Sequence, residues 1–264
     1  MSFKFASNIS FMFTECPSII SRYKLAKESG FQYVESGFPF GYSVEQVCQA
    51  KEAAGVDQVL INVFTGDVTK RELGFAAIPG KEEEFKNSIE LTINYAKALK
   101  CKKIHVMAGI VETPTPANDN VYEKNLKYTV DRFKAEDIIG LIEPINSYSV
   151  PNYYLNSYDK AIEIIKKINS PHLKLMFDIF HLQHIKGNIT NTIKENYSLL
   201  GHVQIAQCPG RGEPDTPGEL NYKYIFSVLD NIGYTGFIGL EYKPNDTTTQ
   251  GLKWINNFGY NLNN

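Results

Sequence analysis

The feature that most constrains this chain is an alternation of eight short apolar runs with seven longer segments that carry apolar residues at helical spacing. The runs Lys4–Asn8, Tyr33–Ser36, Gln58–Val63, Lys103–Met107, Ile138–Pro144, Leu173–Phe177, His202–Ala206 and Phe237–Glu241 read as strands. Several of them, VLINV and IIGLIEP included, read as nearly continuous apolar runs. Strands buried on both faces have that pattern, because helices cover the outside of the barrel. The helical segments are Ser18–Ser29, Val44–Ala54, Glu82–Leu99, Tyr122–Phe133, Tyr158–Ile168, Asn191–Leu200 and Asn221–Ile232. Gly30, Gly55 and Gly233 stand where three of them end, and Asn169-Ser170-Pro171 stops a fourth. Such a rhythm builds a parallel sheet. Eight units in a chain of 264 residues predict an α/β fold, a single (β/α)8 TIM barrel, with an open doubly wound sheet as the alternative. Residues 1–264 are expected to form one catalytic domain, with the polar tail Asn256–Asn264 frayed.

Composition narrows the partners. A net charge of -2 gives no electrostatic reason to expect nucleic acid or an anionic membrane. No segment approaches the ~18 consecutive apolar residues of a membrane helix. The first residues show no basic region followed by an apolar run, so a cytoplasmic protein is expected. Cys16, Cys48, Cys101 and Cys208 form no C-x-x-C pair, which excludes a zinc ribbon or a thioredoxin-like motif. Gly210-Arg211-Gly212 does not extend to a phosphate-binding G-x-G-x-x-G.

In a barrel the active site lies at the C-terminal strand ends. Four consecutive strands each place an oxygen-bearing side chain there: Glu143 in LIEPIN, Asp178 in LMFDIF, Gln204 in HVQIAQ and Glu241 in GLEYKP. One such residue reads as a structural ion-pair partner. Four in register do not, because several buried like charges need a compensating cation. The all-oxygen set suits Mg2+ or Mn2+. Glu35 ends the second strand, where it would position His105 or a substrate hydroxyl. His105 lies in the fourth strand, where a histidine is most often a hydrogen-bonded core residue. Phe11, Phe13 and Phe38 fall on early βα loops, either as pocket walls or as ordinary core.

The segments LIEPIN, MFDIFHLQ, GHVQIAQCPGRGEPDTPGELNY and GFIGLEYKP resemble the hydroxypyruvate isomerase family of the xylose isomerase-like barrels. NISFMFTE, GFQYVE, VLINVFTGD and NYAKALKCKKIHVMAG extend the resemblance over nearly the whole chain. It implies that Glu143 and Glu241 are proton donor and acceptor, and that with Asp178 and Gln204 they bind the divalent metal. Many superfamily members carry a histidine where Gln204 stands, so whether the metal is essential stays open. The substrate-binding set is His181, Arg211, Glu213 and His105. His181 follows Asp178 in D-x-x-H, and such a histidine reaches the substrate in related barrels. Arg211 presents a fork suited to a substrate carboxylate, oriented by Glu213. The implied reaction interconverts 3-hydroxypyruvate and 2-hydroxy-3-oxopropanoate through an enediolate, in glyoxylate metabolism. A metal-dependent epimerase or isomerase of a free sugar is the alternative. Phosphodiester hydrolysis would want more histidine ligands and a basic groove. The expected partner is a small hydroxy-keto acid. A homo-oligomer stays open, since no helix seam stands out.

Overall fold

Local chemistry sets the element boundaries. Ser43 and Gln46 close a reciprocal capping box at the start of one helix, and Gly55 ends it in the left-handed region at φ 66°. Ser157 accepts from the Lys160 N–H at the head of another, and Asn169 ends it at φ 50°. The computed structural model describes residues 3–262. In chain order the elements are β1 (Lys4–Asn8), α1 (Ile19–Glu28), β2 (Tyr33–Ser36), α2 (Val44–Ala54), β3 (Asp57–Asn62), α3 (Glu82–Leu99), β4 (Lys103–His105) and α4 (Pro116–Ala135). They continue with β5 (Ile139–Ile142), α5 (Tyr158–Ile168), β6 (Leu173–Asp178), α6 (Ile179–Ile185), α7 (Ile189–Glu195), β7 (Leu200–Ile205), α8 (Tyr222–Asn231), β8 (Phe237–Leu240), α9 (Thr248–Gly251) and α10 (Lys253–Asn257).

The eight strands close into a parallel barrel in sequence order, with β1 paired to β8. The open-sheet alternative is thereby excluded. Inside the barrel, Ala6, Leu60, Leu141 and Met176 form an apolar plug. Strand side chains alternate with a period of two. Two residues beyond Ala6, Leu141 and Met176 on the same face stand Asn8, Glu143 and Asp178, and β7 and β8 carry Gln204 and Glu241 likewise. An apolar floor therefore gives way to a polar layer at the C-terminal mouth.

Three expectations are corrected. The helix expected at Tyr122–Phe133 begins at Pro116, because Asn118 and Asn125 face inward and donate to the carbonyls of Ala77 and Ala76, each at 2.9 Å. The helix expected at Asn191–Leu200 is instead α7 followed by a short 3-10 turn at Tyr197–Leu199. The tail does not fray up to residue 262. Tyr260 packs edge-on against Phe5 and Phe226 and tilted against Phe3, and Phe258 packs edge-on against Trp254, so aromatic contacts tie the segment to the barrel. Asn263 and Asn264 lie outside the described residues. Among the described residues no helix is long and apolar enough to cross a membrane.

Candidate active site

Glu143 and Glu241 each stand one residue beyond a strand, β5 and β8, and their surroundings differ. Glu241 Oε1 accepts from Asn8 Nδ2 at 2.9 Å and from Gln204 Nε2 at 3.3 Å, and its Oε2 accepts from Arg211. Glu143 receives no hydrogen bond from the described residues, and its buried Oε1 is unpartnered. The basic groups beside it are His105 Nε2 at 3.6 Å and His181 Nε2 at 3.9 Å. Burial, then the charges of Glu241 and Asp178, push the Glu143 carboxyl well above the ordinary range. Burial also raises Glu241, to about 8, against the opposing pull of Arg211.

Asp178 ends β6 and caps α6. Its Oδ1 accepts from the backbone N–H groups of Phe180 (2.8 Å) and His181 (3.4 Å). Burial raises its pKa against Arg211 and these donors. Gln204 lies within β7, in register with Asp178 on one side and Gly239 on the other. Its amide nitrogen faces Glu35 and Glu241, and its buried Oε1 has no partner.

His181 sits on the first turn of α6. Its Nδ1 accepts from the Asn146 backbone N–H at 3.1 Å, and the Asn146 side-chain amide lies 2.7 Å away. A ring nitrogen that accepts a backbone N–H carries no proton, so Nε2 bears it and points toward Glu143 and Asp178. Burial, then Arg211, holds the ring well below its usual pKa, so it is neutral. His105 is neutral as well, lowered to about 3 by burial and by His202.

The expectations for Arg211, Glu213 and Glu35 are revised. Arg211 does not present a free fork. Its Nη2 donates to Glu241 and, at 3.3 Å, to Asp178 Oδ2, while its plane lies between the rings of Phe11 (4.6 Å) and Phe180 (4.8 Å). Two buried carboxylates draw the cation inward more strongly than solvent holds it out. Glu213 does not orient it: Glu213 Oε1 instead accepts the Asn245 N–H at 2.9 Å. Glu35 contacts Asn8, His202 and Gln204 rather than His105. Of the loop aromatics, Phe11 lines the site. Phe13 packs edge-on to Phe31 in the core, and Phe38 joins Phe40, Phe64 and Tyr95. Outside Arg211 opens a cavity of about 960 Å³, lined by Phe11, Tyr148, Phe180, His184 and Lys243 among others.

Sequence reasoning missed Asn8, Asn146 and His202. Asn146, three residues after Glu143 in LIEPIN, and Asn8, the last residue of the first strand, carried a positional signal; His202 carried none.

A divalent cation fits the donor set. Glu143 and Gln204 each present an orphaned buried oxygen, which is the state expected of ligand atoms lacking their ion. Glu143, Asp178 and His181 also offer atoms within 4.8 Å of one another. His181 fits the set less well, because its inward nitrogen bears the proton.

The xylose isomerase-like TIM barrel family matches residues 23–258. A hydroxypyruvate isomerase of Escherichia coli (strain K12) is 38% identical over 256 residues, covering 96% of this chain and 98% of its own. A 2-oxo-tetronate isomerase of Haemophilus influenzae is 38% identical over 259 residues, covering 97% and 99%. A crystal structure from Brucella melitensis, described as an AP endonuclease of family 2, aligns at 37% identity with a TM-score of 0.93, covering 97% and 99%.

Proposed function

The chain belongs to the hydroxypyruvate isomerase family of the xylose isomerase-like TIM barrels, and from that membership and its site we propose that it isomerises small 2-oxo-3-hydroxy acids, interconverting 3-hydroxypyruvate and 2-hydroxy-3-oxopropanoate. The observation that carries the mechanism is the inequality of the two glutamates. Glu241 is surrounded by donors that favour its ionised form, and Glu143 has none. Glu241 is therefore the base and Glu143, protonated, the acid.

In this direction Glu241 removes a proton from the hydroxyl-bearing C3, and the electron pair of the C–H bond moves into an enediolate. Glu143 delivers its proton to C2, and the hydroxyl proton passes from O3 to O2, so atoms and charge balance. The glutamates then exchange a proton to reset, and in reverse they swap roles. The His181 Nε2–H is placed to donate to an oxygen gaining charge. A positioned base contributes about 10²–10⁴ of the rate. A divalent cation held by Glu143, Asp178, Gln204 and Glu241, Mg2+ or Mn2+ from the donor chemistry, would supply Lewis-acid stabilisation of that charge. Arg211 lines the cavity outside these ligands, and its guanidinium would meet the substrate carboxylate there.

The same reading makes this a cytoplasmic enzyme of glyoxylate metabolism, with neither nucleic acid nor membrane as partner. Phosphodiester cleavage is disfavoured because the proposed ligand set contains no histidine and the net charge of -2 gives no electrostatic attraction for nucleic acid.

The test is turnover of hydroxypyruvate by purified protein, with tartronate semialdehyde followed through a coupled reductase and 2-oxo-tetronate run in parallel. Turnover lost in both Glu143→Gln and Glu241→Gln supports the scheme. If metal-replete protein turns over neither acid but acts on a panel of ketoses, the acid assignment fails.

A further inference from the structure

We infer that Glu35, which the proton transfers do not use, is a positioning residue that fixes which end of the Gln204 amide faces the reaction site, with His202 bracing it. This rests on the reading of the site as an oxygen-lined cation and substrate centre.

Glu35 is fully buried in β2. It accepts from Asn8 Nδ2 at 3.0 Å and from Gln204 Nε2 at 2.7 Å through Oε1, and from His202 Nε2 at 2.6 Å through Oε2. An ionised carboxylate only accepts. An amide beside it has one favourable rotation, NH2 inward. The second hydrogen of the Gln204 NH2 meets Glu241 Oε1 at 3.3 Å. Both donors are then spent on carboxylates, and Oε1 turns to the site unpartnered. The reverse rotation would set a carbonyl against two carboxylates and leave the NH2 pointing into the site. His202 holds the other Glu35 oxygen, so the carboxylate cannot rotate away.

Asn8 repeats the device. Its Oδ1 accepts the Ser10 N–H at 3.1 Å, and its NH2 spans Glu35 and Glu241. One acceptor-only group thus orients two amides, and both donate to the proposed base. The fold reserves room for it, because a Cβ at Gly239 would fall within the Glu35 carboxylate.

The test is Glu35→Gln, which keeps the shape but lets residue 35 donate or accept, so that Gln204 is no longer held. Mn2+ binding, read by electron paramagnetic resonance without substrate, is expected to weaken by about 10–100-fold, as when outer partners of metal ligands are removed. The double variant Glu35→Gln/Gln204→Glu reverses the hydrogen bond and puts an oxygen on the site in either rotation. Its affinity is expected to recover toward wild type, and Gln204→Glu should gain more affinity in the Glu35→Gln background than in the wild-type background, a coupling that a merely structural role for Glu35 does not predict. A folded Glu35→Gln protein that binds Mn2+ as wild type does, or a double variant that does not recover, overturns the inference, as does wild-type protein that binds no Mn2+. Should Glu35→Gln fail to fold, the wild type decides. With 15N-glutamine labelling, the Gln204 NH2 signal, assigned by its loss in Gln204→Glu, should resist hydrogen exchange; free exchange refutes the inference. These readouts involve no turnover, so they hold or fail independently of which acid the enzyme uses.

Discussion

Replacing Arg211 by methionine removes the one guanidinium that neutralises the carboxylate layer while keeping apolar bulk between Phe11 and Phe180. The side chain is 13% exposed and donates to both Glu241 and Asp178. Without it, Glu143, Asp178 and Glu241 face one another with no cation. Removing one partner of a buried ion pair costs about 3–5 kcal/mol. The carboxylates can shed part of that by taking up protons, which is easy at pH 6 and hard at pH 9, above the value of about 8 for Glu241. The full loss is therefore expected at pH 9, and with ~2–4 °C of Tm per kcal/mol in a chain of this size it amounts to roughly 10 °C. At pH 6 the drop should be distinctly smaller. Added Mn2+ should reverse it, because the ion replaces the lost cation, and should bind Arg211→Met more tightly than wild type, where the guanidinium must first be displaced. Scanning calorimetry at both pH values, with and without Mn2+, reads all three. An equal fall at both pH values that Mn2+ does not relieve would show that Arg211 acts by filling space, and would refute the argument.

Glu143→Gln and Glu241→Gln should each lower kcat by about 10²–10⁴ in the coupled assay with the fold retained by circular dichroism. Because burial raises Glu241 from 4.5 to about 8, the folded state binds a proton there that the unfolded state releases. Its contribution to metal-free stability is complete below pH 4.5 and lost as pH rises through about 8, and Glu241→Gln should flatten that slope in denaturant titrations. Asn146→Ala should release the His181 ring, seen by 15N NMR as a mixture of tautomers in place of a single Nε2–H form, with turnover reduced about tenfold. Gly239→Ala should destabilise by about 1–3 kcal/mol in urea unfolding through overpacking against Glu35.

Periodicity located α2, α3 and α5 to the residue, because each is long enough to show a face and each stops at a residue in the left-handed region, Gly55, Lys100 and Asn169. It could not show α6. Seven residues give only two turns, and Asp178, read as a strand end, is itself the helix cap. The polar layer was legible because inward residues recur every second position and the apolar runs break at Glu143, Asp178 and Glu241. The direction of Arg211 was not. Its residue takes φ 58°, and the turn aims the guanidinium at carboxylates that only the closed barrel assembles. Nor was the network around Glu35, whose bond to His202 spans 167 positions and needs β2 and β7 to share the barrel interior.

The division of labour between the glutamates follows from strand order. Each occupies the same position, one residue past its strand, and both lose hydration on burial, so position alone would give them equal proton affinities. Their flanking strands differ. β8 lies between β1 and β7, which supply the amides of Asn8 and Gln204, and the loop after β7 adds Arg211. β5 lies between β4 and β6, which bring His105, neutral and beyond hydrogen-bond reach, and Asp178, a second acceptor. Donors therefore hydrogen-bond to Glu241, while none comes within hydrogen-bond reach of Glu143. Shifting that balance should shift the acid and base roles without moving either glutamate. Asn8→Asp, which replaces a donor to Glu241 with an acceptor, is the smallest change that does so. It should raise the pH at which kcat/KM reaches its plateau, because Glu241 then needs a higher pH to ionise. An unchanged profile would mean that the proton affinity of Glu241 is set by burial alone.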